Sequence, residues 1–314
     1  MNKRSQLISL LVIVNLFFAG CAPTSSPTPA SPADKLAEIV ARGTLVIATD
    51  PAYPPQSELK KDGVRAANTK CGPNEHTASE FTGFDVDTAI EIARRLGVEP
   101  CFVTPAWTQI TAGSWADHWD ISFGSMTITA ERMEGLYFTQ PYYASPAVFF
   151  VHRDNTAFAQ LSDLSGKRIG SCAGCTFERY LEGSLTLPGQ PIEFAVKDAN
   201  VIGYDNETTA LQDLTLGDGT KLDAVLTQLP TGQAALAAGS PIKQLGGPAF
   251  FAYAAAAIDK KSSKDSVSFA VKVAELIRQL HADGTLSKLS QHYHGLDLTT
   301  AAGQFDLKAL GQLP

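Results

Sequence analysis

The sequence predicts an α/β fold with largely parallel sheets, built as one large or two medium domains. Two observations carry this. From Asp34 onward, short apolar β-branched runs alternate with longer segments of helical period. The chain also has 314 residues, 44% of them hydrophobic, which is enough to build real cores.

Taken in order, "TLVIATD" (Thr44–Asp50) reads as a strand entered through Gly43 and leading into the Pro-rich turn "PAYPP". "FDVDTAIEIARRLG" reads as a helix, with Asp85 as N-cap, Val86, Ile90 and Ala93 on one face, and Gly97 just past its end. "CFVTPAW" and "WDISFGS" read as strands, and the second runs into "SMTITAER" (Ser125–Arg132). A second block begins near "SPAVFFVHRD". It continues through the turn and strand "DLSGKRIGS", a helix start at "CTFERYLEG", the helix "NETTALQDLTLG" and the strand "DAVLTQ". "DSVSFAVKVAELIRQLHADG" is the clearest amphipathic helix: Phe269, Val273, Leu276, Ile277 and Leu280 share one face and Gly284 closes it.

The ends of the chain and its charge narrow the setting. A formal net charge of −7, with no basic stripe, argues against nucleic acid, or a membrane held through a polybasic patch, as partner. Residues 1–20 combine Lys3 and Arg4 with the apolar stretch "LISLLVIVNLFF" and small residues before Cys21, the pattern of an export signal. The "AGC" ending resembles the lipobox of bacterial lipoproteins, with Phe18 where Leu is usual; the alternative is an uncleaved apolar anchor. In the lipoprotein reading Cys21 carries lipid, and residues 21–40, rich in Pro, Ser and Thr, form a tether. The folded part is then extracytoplasmic, on the periplasmic or cell-surface side of a bacterial membrane. The remaining cysteines, Cys71, Cys101, Cys172 and Cys175, allow two disulfides in three pairings in such a compartment.

Five stretches, "GTLVIATDPAYPP", "GFDVDTAIEIARRLG", "WDISFGSMTITAERMEGLYFTQPYY", "DLSGKRIGSCAGCTFERYL" and "LHADGTLSKLSQHYHG", carry a resemblance. Their order and spacing resemble bacterial extracellular solute-binding proteins of family 3, the polar-amino-acid receptors of ABC importers. The likeness covers about 41–298. It implies the type II periplasmic-binding fold: two sheets flanked by helices, in two lobes joined by two hinge strands. Mapped here, lobe I takes 41–144 plus 252–298, lobe II takes 145–251, and 299–314 is a C-terminal tail. A solute bound in the interlobe cleft is delivered to a membrane permease, and the receptor is expected as a monomer without cofactor.

The resemblance also implies a site. Residues matching Ser125, Thr127 and Arg132 clamp the ligand's carboxylate, and a planar guanidinium suits that task. Thr176, in the turn after the second-lobe strand, matches a further carboxylate contact, and Cys175 stands where a small hydroxyl residue is common. Tyr53 and Trp107 match aromatic positions lining the cleft, and Asp50 is placed to read a polar side chain. One departure is Gln228, where amino-acid receptors of the family carry an aspartate for the ligand's α-ammonium. An amide supplies no compensating charge. Either Asp50, Asp205 or Glu178 replaces it, or the ligand lacks a simple ammonium there.

Several motifs point elsewhere. "CAGC" has C-x-x-C spacing; in this context a local Cys172–Cys175 bridge is expected, with catalytic redox as the alternative. Cys71 lies in an insertion longer than the family's usual hairpin, and a bridge to Cys101 would pin it to the first lobe. "HYH" places His292 and His294 on one side of an extended chain, a metal pair with no third ligand at useful spacing and otherwise plain surface packing. The rival to a receptor is a dehydratase-like enzyme on the same fold, using Glu178 or Asp50 as acid or base. A sensor module is a third reading, for which no signalling domain follows.

Overall fold

A computed structural model of the chain describes residues 34–314. The expected leader, Cys21 and most of the expected tether lie outside the described residues. Among the described residues no helix is long and apolar enough to cross a membrane.

The first helix, α1 (Lys35–Arg42), revises the end of the tether. Asp34 caps it by accepting from the Ala37 N–H at 2.9 Å, and Gly43 ends it at φ 75°. Ile39 is fully buried and Lys35, 2% exposed, pairs with Asp120 at 3.0 Å. Residues 35–40 therefore belong to the folded part, held by buried Ile39 and by Lys35, whose ammonium also reaches Asp117 at 3.3 Å and whose N–H donates to the Asp265 carbonyl at 2.9 Å.

Strand β1 (Thr44–Ala48) follows, buried along its whole length. Short strands β2 (Ala52–Tyr53), β3 (Ser57–Leu59), β4 (His76–Thr77) and β5 (Phe81–Thr82) accommodate the insertion. Three of these form a small sheet in the order β2-β3-β5, while β4 pairs with β6 (Glu99–Val103). Cys71 is bonded to Cys101 of β6, which fastens the insertion to the main sheet.

Helix α2 (Phe84–Leu96) is capped by Gly83 rather than by Asp85. Gly83 sits at φ 133°, and a Cβ there would lie 2.2 Å from the Gln56 carbonyl oxygen, so no side chain fits. The cap lies two residues earlier than the sequence indicates, and Asp85 is drawn inside, fully buried. α3 (Trp107–Ala112), β7 (Ile121–Ser122) and α4 (Arg132–Gly135) complete this part.

Two long strands, β8 (Leu136–His152) and β12 (Ile242–Asp259), run antiparallel from the register Leu136↔Asp259 to His152↔Ile242. Between them in sequence lie β9 (Arg168–Cys172), α5 (Thr176–Leu181), β10 (Asn200–Tyr204), α6 (Glu207–Leu214), β11 (Ala224–Gln228) and α7 (Leu229–Ala237). The nine-stranded sheet has the order β10-β9-β11-β8-β12-β7-β1-β6-β4. β11 pairs with β8 near Phe150, whereas β7 meets β12 at Ala257, so the two ends of the long pair serve different halves. Each half buries its own core. Phe84, Ile92, Phe102, Phe269 and Leu280 belong to one, and Phe149, Ile169, Phe177, Tyr180 and Leu226 to the other. Such side chains stabilise by roughly 1.5–3 kcal/mol each when fully buried.

Helix α8 (Val267–Ala282) buries all five residues of its apolar face. Helix α9 (Thr285–His294) contains "HYH", which is thus helical rather than extended. Two positions apart on a helix diverge by roughly 200°, so the imidazoles do not share a side. His292 is exposed, while His294 is buried against Phe84, ring centres 4.8 Å apart. Burial lowers the His294 imidazole to about 4, which keeps it neutral. α10 (Thr300–Gly303) and the turn Leu307–Leu310 fold the tail back onto β8, where the Gln140 side-chain amide donates to the carbonyls of Ala302 and Phe305 at 2.8 and 3.0 Å.

Candidate functional site

The strands that end where the two halves face one another deliver their polar residues to one cavity. All nine residues singled out in the sequence line it: Asp50, Tyr53, Trp107, Ser125, Thr127, Arg132, Cys175, Thr176 and Gln228. Asp205 and Glu207 line it as well, and Glu178 does not; its carboxylate accepts from the Gly174 N–H at 2.7 Å instead.

Arg132 opens α4 and is only 8% exposed. Two of its N–H groups donate to the carbonyls of Thr127 (3.0 Å) and Gly174 (3.1 Å), and its guanidinium carbon lies 5.4 Å from the Trp107 ring centre. Burial lowers its pKa to about 10, still high enough to leave it charged at neutral pH. Among the described residues no carboxylate pairs with it. The preceding acid, Glu131, is drawn to Arg179 across the cleft at 3.2 Å. A buried cation with dipoles but no counter-ion is a socket for an anion. Thr127 adds a hydroxyl 3.4 Å from that of Thr176, one from each half. Thr176 starts α5 with Cys175 as its N-cap. Arg132 and Thr176 also border a wider outer recess, so the cavity continues toward the surface.

Ser125 has a different employment from the expected clamp. Its backbone sits at φ 53°, in the left-handed region. Its N–H donates to the Tyr142 hydroxyl at 3.0 Å and its Oγ donates to Asp85 at 2.7 Å. Both donors are thus used inside the protein. The Tyr143 hydroxyl lies 2.6 Å from Ser125 Oγ and 2.7 Å from Gln228 Oε1, and the Gln56 amide donates to the same Gln228 oxygen at 3.2 Å. Gln228 is therefore an amide crosslink between the halves, and its neutrality suits that position.

Negative charge enters also from a residue the sequence did not mark. Glu207, at the first position of α6, is 5% exposed and places Oε1 3.0 Å from the sulfur of Cys172, which is bonded to Cys175. Burial, reinforced by the charge of Asp50, pushes its carboxyl up to about 8. Asp50 is also raised, by burial, although the Ala52 N–H donates to it at 2.7 Å. Behind Ser125, burial holds the Asp85 carboxyl at about 7 against the lowering bond from Ser125. The signal for Glu207 was present but disguised. After the capping Asn206, an acid at a helix start looks like ordinary dipole complementarity.

The profile of the bacterial extracellular solute-binding proteins, family 3, matches residues 45–296. The chain is 26% identical over 265 residues to the L-cystine-binding protein TcyJ of Escherichia coli (strain K12), spanning 84% of this chain and 87% of the relative. It is 24% identical over 259 residues to the lysine/arginine/ornithine-binding periplasmic protein of the same organism, with 80% and 87% covered. Among solved structures it resembles the ancestral amino acid-binding protein AncCDT-1, a precursor of cyclohexadienyl dehydratase. The TM-score is 0.67 and the identity 26%, over 83% of this chain and 100% of that one. The two halves joined by long strands are thus the two-lobed type II periplasmic-binding fold.

Asp85 gives the cleft a measurable pH signature. Its folded pKa of about 7 lies above the ordinary 3.8, so the folded state holds the proton that the unfolded chain releases. Its stabilising protonated form is fully present below about pH 4 and is lost as pH rises through 7, a change of about 4 kcal/mol. In Asp85→Asn this slope should vanish. Denaturant titrations at several pH values should show the variant gaining on the wild type as pH rises from 4 to 8; parallel curves would contradict the burial argument.

Proposed function

Because the chain belongs to the bacterial extracellular solute-binding proteins of family 3, we propose that its cleft captures an amino acid or amino-acid derivative by its carboxylate. Solute binding is the role of this family, and the relatives named above bind amino acids. The observation that carries the ligand assignment is Arg132, a buried guanidinium without a carboxylate partner among the described residues. A ligand carboxylate entering there supplies the missing counter-charge. It meets the N–H groups of Arg132 not used by Thr127 and Gly174, and the hydroxyls of Thr127 and Thr176. Tyr53 and Trp107 offer apolar surface for the rest of the ligand.

In this reading the protein is a monomeric, non-enzymatic receptor that closes over its solute and presents the closed form to an ABC permease. The two lobes close on the hinge formed by the β8–β12 pair. Lipid on Cys21 would hold it to a membrane face outside the cytoplasm, and the Cys71–Cys101 and Cys172–Cys175 bridges fit that oxidising setting.

Two experiments test this. Heating the protein with a panel of amino acids should raise its melting temperature by several degrees for a ligand well above its Kd. Arg132→Met should abolish the shift, and a retained shift, or turnover of the ligand, would contradict the receptor reading. For the anchor, Cys21→Ser should leave the membrane fraction, and unchanged partitioning would remove the lipid from the account.

A further inference from the structure

The charges around the cavity do not balance. One guanidinium, Arg132, faces three carboxyl groups, Asp50, Asp205 and Glu207. If a ligand carboxylate neutralises Arg132, the acids remain without a cation. Glu207 is the most confined of them. Apart from its own backbone N–H, its carboxyl meets, among the described residues, the sulfur of Cys172, which has no proton to give once bonded to Cys175. Asp50 keeps one bond, from Ala52. The Thr208 hydroxyl donates to the Ala52 carbonyl at 2.8 Å, and this bond sets the start of α6, and with it Glu207, against the Asp50–Tyr53 turn of the other lobe. Gln228, where a charge for the ligand's ammonium is expected, is occupied by Tyr143 and Gln56.

We propose that Glu207 is the specificity-determining residue of this cavity, receiving with Asp50 the positively charged side-chain group of the ligand. The site then takes an amino acid with net positive charge: a carboxylate for Arg132 and more than one cationic nitrogen for the acids. This rests on the receptor reading above and deepens it. The groups facing Glu207 are Asp50 and Tyr53 from the turn after β1, the Cys172 sulfur of β9, and Asp205 beside its own helix. None of them is a cation, so the empty site holds Glu207 protonated at neutral pH, and an arriving cation displaces that proton to solvent.

The test uses the purified full chain, titrated calorimetrically with L-arginine and with L-citrulline, which replaces the guanidinium by a neutral urea of nearly the same shape. Arginine should bind about a hundredfold more tightly, the scale of pairing against stranding a buried charge. Titrations in two buffers of different ionisation heat should show about one proton released with arginine and none with citrulline. In Glu207→Gln the preference should fall to about tenfold or less, with proton release lost. The comparison on the wild-type chain stands even if that variant folds poorly. Citrulline or L-glutamine binding as tightly as arginine, with loss in Arg132→Met, would overturn the assignment to Glu207 and leave the carboxylate socket intact. No binding of any of the three, with a melting shift from another amino acid of the panel, would likewise overturn the assignment to Glu207, whereas no shift from the whole panel would contradict the receptor reading itself.

Discussion

Burying the guanidinium of Arg132 without a carboxylate is the constraint on which the cleft depends. Hydrogen bonds to the Thr127 and Gly174 carbonyls and the face of Trp107 reduce the cost but leave the charge uncompensated. Both carbonyls belong to loops that also present hydroxyls, Thr127 from one lobe and Thr176 from the other. The residue that needs an anion therefore also organises the groups that would receive one.

The rest of the structure holds the two lobes in register around this charge. The Gly174 carbonyl crosses the cleft to Arg132, the Thr208 hydroxyl to Ala52, and the Gln228 amide to Gln56. These are few and polar, whereas each lobe's core is extensive and apolar. Two apolar cores with a sparse, hydrogen-bonded seam between them are the arrangement that the proposed hinge closure requires. The buried acids add a second consequence. Asp85 and Glu207 are both pushed toward protonation by burial, which limits the negative charge in and behind the cleft.

Much of this was legible in the sequence. The order of the motifs placed the two lobes' strands and helices, and the nine residues drawn from them converge on one cavity. The failures share a cause: a local pattern was outweighed by a tertiary contact. Asp85 fits an N-cap by position, but Gly83 is the only residue the Gln56 carbonyl tolerates there, so the acid turns inward. Ser125 looks free to meet a ligand, but Tyr142 and Asp85 claim its donors. "HYH" has strand-like alternation, yet it ends a helix whose buried face needs His294. Lys35 looks like part of a polar leash until Asp120, far along the chain, pairs with it. Glu207 was hidden because a helix start is where an acid attracts least notice.

The central claim, that a ligand carboxylate completes Arg132, is tested most directly from the ligand's side. An amino acid that binds the wild-type protein should be compared calorimetrically with its own α-carboxamide, which keeps every other group. The account predicts a loss of about a hundredfold or more for the amide, since the guanidinium is left buried beside a neutral group. Equal affinities would place the carboxylate outside the socket and contradict the account.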